Sequence, residues 1–132
     1  MPRAVLAEMA AHAYACYPEE ACGLLVGPPG RGATEISEFV PLRNAAASAR
    51  IYELDPLEHL RAERAVEERG LEVVGVMHSP THTEPYPSPT DVAQAPDPGW
   101  QYLIVSLKRQ EPEIRTYRIV DATITEFPIT PT

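Results

Sequence analysis

Residues 55–78, DPLEHLRAERAVEERGLEVVGVMH, decide the fold, because they hold one helix and one strand with their punctuation intact. Asp55 suits an N-cap, Pro56 suits the first helical position, and Glu58 completes a capping box. Gly70 closes that helix at its carboxyl end. Residues 71–77 then run apolar and β-branched, with VVGVM at the centre. That pattern predicts a buried strand delivering His78 at its exit.

Upstream, residues 3–16 place Leu6, Met9, Ala10 and Ala13 on one helical stripe that Cys16 extends. Pro18 ends that helix. ACGLLVG (21–27) is a short apolar run closed by PPGRG, which reads as a buried strand and a turn. ATEISEFVPL (33–42) reads as a further strand through Ile36, Phe39 and Pro41. Downstream, TDVAQA makes a helical turn or two with Thr90 as its cap. WQYLIVSLK, EIRTYRIV and ATITEFPI follow as three strands of an antiparallel meander. The expected fold class is α/β, a single domain over residues 1–132 with one mixed β-sheet flanked by helices.

The chain has 132 residues, which favours one core. Its formal net charge is -8, which argues against a nucleic-acid backbone as partner. The amino terminus, MPRAVLAEMAAHAYACYPEE, lacks the apolar core of a signal peptide, and no run reaches the roughly 20 apolar residues of a membrane span. Cys16 and Cys22 are too few for a disulfide framework and read as buried free thiols. A cytoplasmic protein is the expectation.

The chemistry-bearing stretch is GVMHSPTHTEPYPSPTD (75–91). Metal-assisted hydrolysis needs three protein ligands, an open position for water, and a carboxylate to handle protons. His78, His82 and Asp91 share one loop at a strand's carboxyl end, a usual place for a site. Spacing alone favours reading them as solvated polar residues.

This stretch resembles the signature of the JAMM (MPN+) metallopeptidases: His-Ser-His-Pro or His-Ser-His-Thr, then Pro-Ser-x-x-Asp. His78 matches the first histidine ligand, Ser88 the serine and Asp91 the aspartate ligand. YPEEACGLLVG (17–27) looks like the segment holding that family's glutamate, here Glu20. IYELDP (51–56) and WQYLIVSLKRQEPEIRTYRIV (100–120) also resemble its compact bacterial members, so the resemblance covers nearly the whole chain. It implies the JAMM/MPN, cytidine-deaminase-like architecture and a zinc ion held by two histidines and an aspartate. Glu20 would act as general base and acid, and Ser88 as a hydrogen-bond donor to the developing oxyanion. The implied substrate is the Gly-Gly carboxyl-terminal tail of a ubiquitin-like sulfur-carrier protein, with release of cysteine from a carrier-cysteine adduct as the specific reaction. Trimming of one or two residues from the carrier's terminus would share that chemistry. An extended tail could pair with an exposed strand edge.

Pro80 departs from the pattern, since it occupies the second histidine's position and offers no side-chain donor. Two outcomes stay open. A β-turn over Ser79-Pro80-Thr81-His82 would swing His82 towards the metal, with the ligand set His78, His82 and Asp91. Otherwise the site keeps two ligands, and the chain is a metal-deficient binding or scaffold protein on the same fold. His12 and His59 read as structural or solvated, Glu84 as a solvated carboxylate, and Trp100 and Tyr102 as core. Asn44 could order a loop near the site. A homodimer is left open.

Overall fold

A computed structural model describes residues 1–31, 35–95 and 97–132. Its elements run α1 (Arg3–Cys16), β1 (Cys22–Gly27), β2 (Glu38–Leu42), α2 (Pro56–Glu68), β3 (Glu72–His78), α3 (Pro89–Ala93), β4 (Gln101–Ser106), β5 (Glu113–Val120) and β6 (Thr123–Phe127). The strands form one mixed sheet in the order β2-β1-β3-β4-β5-β6. Among the described residues only β3 and β4 pair in parallel, and the last three strands make the expected antiparallel meander. Of the expected strand over residues 33–42, the ladder uses Glu38–Leu42; Ala33 and Thr34 lie outside the described residues, as does Gly32 of the PPGRG turn. No helix among the described residues is long and apolar enough to cross a membrane.

The two long helices cover opposite faces of the sheet. From α1, Val5, Met9 and Ala13 pack with Leu25, Phe39, Val74, Met77, Leu103 and Val105. The buried stripe thus runs through Val5 rather than Leu6, which is only half-buried. On the other face, Val66 of α2 packs with Cys22, Leu24, Val26, Leu42 and Val73. Burying side chains of this size contributes roughly 1.5–3 kcal/mol each, so these two layers are the main favourable term in the fold.

The ends of α2 follow from its sequence. Asp55 Oδ1 accepts from the backbone N–H of Leu57 and Glu58, at 2.9 and 3.0 Å, which is worth about 1 kcal/mol. Gly70 takes φ +75 just past the C-cap, a conformation that a side chain would oppose. The expected capping box does not form: the Glu58 carboxylate pairs with Arg43 at 3.1 Å instead of reaching back to its own N-cap.

Sheet register then positions the site. β1 and β3 run antiparallel with Cys22 opposite His78, so the start of β1 faces the end of β3. The pairing shifts between Leu25 and Val26, which face Gly75 and Val73 and leave Val74 as the extra residue. That bulge lets Val74 and Met77 both join the α1 layer. His78, next after Met77, therefore points to the opposite face. Gly75 is required here, because a Cβ would stand 2.2 Å from the Gln101 carbonyl oxygen on the parallel strand.

Candidate active site

Glu20 is the second residue before β1, and the β1–β3 register sets it beside His78. Two further hydrogen bonds extend that pairing: Ser79 N–H donates to the Ala21 carbonyl at 3.0 Å, and Ala21 N–H donates to Ser79 Oγ at 2.8 Å. Glu20 is held from its other side too. Its N–H donates to the Ser48 carbonyl at 2.8 Å, and its carbonyl accepts from Asn44 Nδ2 at 3.1 Å. Glu20 is 4% exposed and His78 6%, and Glu20 Oε1 accepts from His78 Nδ1 at 3.0 Å.

Asp91 arrives from α3. The cap of that helix is Ser88 rather than Thr90, and it makes a capping box: Ser88 Oγ accepts from Asp91 N–H at 3.1 Å, while Asp91 Oδ2 accepts from Ser88 N–H at 2.8 Å. Pro89 follows at the first helical position. The same Oδ2 lies 3.3 Å from His78 Nε2. His78 therefore bridges Glu20 and Asp91 through its two ring nitrogens. Tyr52 stacks on the imidazole at 4.4 Å between centroids and 15° between planes. Burial alone would lower the His78 pKa, but hydrogen bonds and charge from Asp91 and Glu20 outweigh it and raise it to about 9. For Asp91, burial pushes upward, yet His78 and the Ser88 N–H hold its carboxyl below the usual range. Burial is the main cause that raises the Tyr52 phenol far above its ordinary value, so it stays protonated.

These groups line one cleft with Arg50, Pro80, Thr83 and Tyr86. His82 does not line it. It is exposed, its Nδ1 lies 2.7 Å from Thr81 Oγ1, and it borders an adjoining groove with Arg50, Thr81 and Thr83. No backbone hydrogen bond joins Ser79 and His82 among the described residues. The chain on both sides of His82 is tied down. Leu107 N–H donates to the Pro80 carbonyl at 2.9 Å, Thr81 Oγ1 to the Ala49 carbonyl at 3.2 Å, and Ser106 Oγ to the Thr83 carbonyl at 2.5 Å.

The donor set can be tested against zinc. His78 Nε2 and Asp91 Oδ2, 3.3 Å apart, match the ~3.3 Å edge of a tetrahedron with bonds of about 2.0 Å. Pro80 supplies no third donor, and His82 lines the adjoining groove rather than this cleft. Among the described residues no group of three His, Cys, Asp or Glu side chains is arranged to hold a metal ion. The residues present therefore do not complete a three-donor zinc site.

The remaining candidates are accounted for by packing and pairing. His12 Nε2 lies 3.0 and 3.3 Å from the Cys22 and Leu42 carbonyls, and Cys22 is buried while Cys16 is half-exposed, both as free thiols. Glu84 pairs with Lys108 and Arg109 at the surface. Tyr102 is buried, Trp100 packs at the edge of the core, and His59 sits beside Trp100. The sequence reading assigned no role to Tyr52 or Arg50, and named Ser79 only as the first residue of the candidate turn to His82.

Residues 2–120 match the family model described as prokaryotic homologs of the JAB domain. The chain is 43% identical over 122 residues to the CysO-cysteine peptidase of Mycobacterium tuberculosis, covering 92% of this chain and 82% of that protein. It is 34% identical over 96 residues to a probable TtuB-protein conjugate cleaving protease of Thermus thermophilus, covering 72% of this chain and 62% of that protein. A solution structure of a protein from Desulfitobacterium hafniense superposes with a TM-score of 0.86 at 32% identity, covering 99% of this chain and 90% of that one.

Proposed function

Because the chain belongs to the prokaryotic homologs of the JAB domain, we propose that it is a peptidase of a small ubiquitin-like carrier protein. It hydrolyses the amide bond that follows the carrier's carboxyl-terminal Gly-Gly tail, releasing cysteine from a carrier-cysteine adduct. The observation that carries this reading is the gathering of Glu20, His78, Ser88 and Asp91 on one cleft. The 43% identity to a CysO-cysteine peptidase supports the substrate class.

In this reading Glu20 takes a proton from the attacking water and returns it to the leaving amine. His78 Nδ1, 3.0 Å from Oε1, fixes the direction of that carboxylate. Ser88 Oγ accepts from Asp91 N–H, which leaves its own hydroxyl proton for a substrate carbonyl oxygen. Asp91 is fixed by the same capping box and in turn orients His78. Zinc is the cofactor of this reading, and two protein donors instead of three make its binding weak.

A second reading, a tail-binding protein without turnover, is favoured by Pro80 and by the tied-down chain around His82. Purified protein without a histidine tag, given carrier-cysteine adduct with and without added zinc and followed by mass spectrometry, separates the two. The peptidase reading expects free cysteine, with at least a 100-fold loss in Glu20→Gln. Tail binding with no cysteine at any zinc level would establish the second reading instead.

A further inference from the structure

The proposed reaction puts a difficulty into the cleft. A carrier-amino-acid adduct ends in a free α-carboxylate, yet the cleft already carries Glu20 and Asp91 in a chain of net charge -8. A third carboxylate needs a counter-charge close by. Among the residues lining the cleft, Arg50 is the one arginine or lysine, and it borders the adjoining groove as well. Among the described residues its guanidinium has no carboxylate partner, whereas Arg43, Arg69, Arg109 and Arg115 are all paired.

Glu20 also borders both spaces, with Pro80 as their common wall. A group that protonates the leaving amine must lie at the junction between tail and leaving residue. The tail then lies along the His78–Asp91–Ser88 side. With the tail on that side, the space left for the leaving residue is the groove lined by Ala49, Arg50, Thr81 and His82. The backbone that presents Arg50 is fixed, since Ser48 Oγ accepts from the N–H of Arg50 and Ile51 at 3.0 and 3.3 Å. Asn44 Nδ2 donates to the Ile51 carbonyl at 3.0 Å.

We infer that Arg50 is a specificity residue that receives the free α-carboxylate of the leaving residue, and that this chain thereby prefers a single amino acid at the end of a tail over a protein conjugate. The inference rests on the tail-peptidase reading above. It follows from charge: an isopeptide to a lysine side chain places no free carboxylate next to the scissile bond, and a guanidinium fork recognises carboxylates in two-pronged fashion.

The test separates binding from turnover. Fluorescent tail peptides ending in Gly-Gly-Cys, one with a free carboxylate and one with a carboxamide, are titrated into wild type, Arg50→Ala and Arg50→Lys. Cleavage of both peptides by the same proteins is followed in parallel. Wild type should bind the carboxylate peptide at least tenfold more tightly than the carboxamide. Arg50→Ala should erase that preference by weakening the carboxylate peptide alone, with Arg50→Lys between. Equal binding of the two peptides, or a preference that survives Arg50→Ala, overturns the role of Arg50 and leaves the peptidase reading intact wherever cleavage continues. Absence of both binding and cleavage in folded wild type overturns both.

Discussion

Ser79 and Ala21 hydrogen-bond each other twice, Ser79 N–H to the Ala21 carbonyl at 3.0 Å and Ala21 N–H to Ser79 Oγ at 2.8 Å. Both residues are fully buried. Their pair is the clasp that keeps Glu20 against His78 where the β1–β3 ladder ends. Ser79→Ala would strand the Ala21 N–H without an acceptor, at a cost of about 1–3 kcal/mol. Urea unfolding should show that loss, and Ser79→Thr should recover part of it. A Ser79→Ala protein as stable as wild type would remove the clasp from this account.

Zinc affinity should respond to Pro80 and ignore His82. Pro80→His supplies a third donor beside His78 and Asp91, and the Pro80 carbonyl that accepts from Leu107 N–H is kept by any residue. Competition with a chelator should give a rise of at least 100-fold for Pro80→His and under twofold change for His82→Ala. A large loss in His82→Ala would mean that residues 80–84 release their ties and carry His82 to the metal.

The legible parts of this molecule were those whose causes are local. The ends of α2, the strand before His78 and the meander can each be read from a few adjacent residues. Glu58 was read one step too far, because its carboxylate answers to Arg43, 15 residues away, rather than to its own N-cap. The cap of α3 was misplaced by two residues although Ser88, Pro89 and Asp91 carry the full capping-box pattern. Tyr52 against His78, and Arg50 on the cleft that Glu20 also lines, have no signature in spacing, since only the folded chain brings them together. Pro80 stood out in the sequence. The ties on the residues flanking His82 did not, because they come from Ala49, Ser106 and Leu107.

His78 and Asp91 should make stability depend on pH in the metal-free protein. His78 titrates from 6.5 in the unfolded chain to about 9 when folded, so its contribution is whole below about 6.5 and lost as pH rises through 9. Asp91 acts in the opposite sense: its lowered pKa gives stability above the ordinary carboxylate range that is lost as pH falls. With a chelator present, the unfolding free energy of wild type relative to His78→Gln should shrink by up to about 3 kcal/mol between about pH 6 and pH 10. Imidazole NMR checks the premise directly, and a His78 midpoint near 6.5 would refute it.

Asn44 should prove costly to remove although it lies outside the cleft. Its Nδ2 donates to the carbonyls of Glu20, Ile51 and Ser48 at 3.1, 3.0 and 3.4 Å. Its Oδ1 accepts from the N–H groups of Ala46 and Glu53, both at 3.0 Å. One buried amide thus folds residues 44–54 into the wall that presents Arg50 and Tyr52 and ties that wall to Glu20. Asn44→Ala leaves several of these groups unpaired and should cost about 3 kcal/mol in urea unfolding. Local opening should outrun global unfolding, because Asn44 alone supplies five of the hydrogen bonds that hold residues 44–54 in place. Trypsin reports that opening, since Arg50 is exposed. Cutting after Arg50 should accelerate at least tenfold in Asn44→Ala under conditions where the rest of the chain stays folded. Uniform cleavage at all arginines would instead show that the loop and the sheet unfold as one unit.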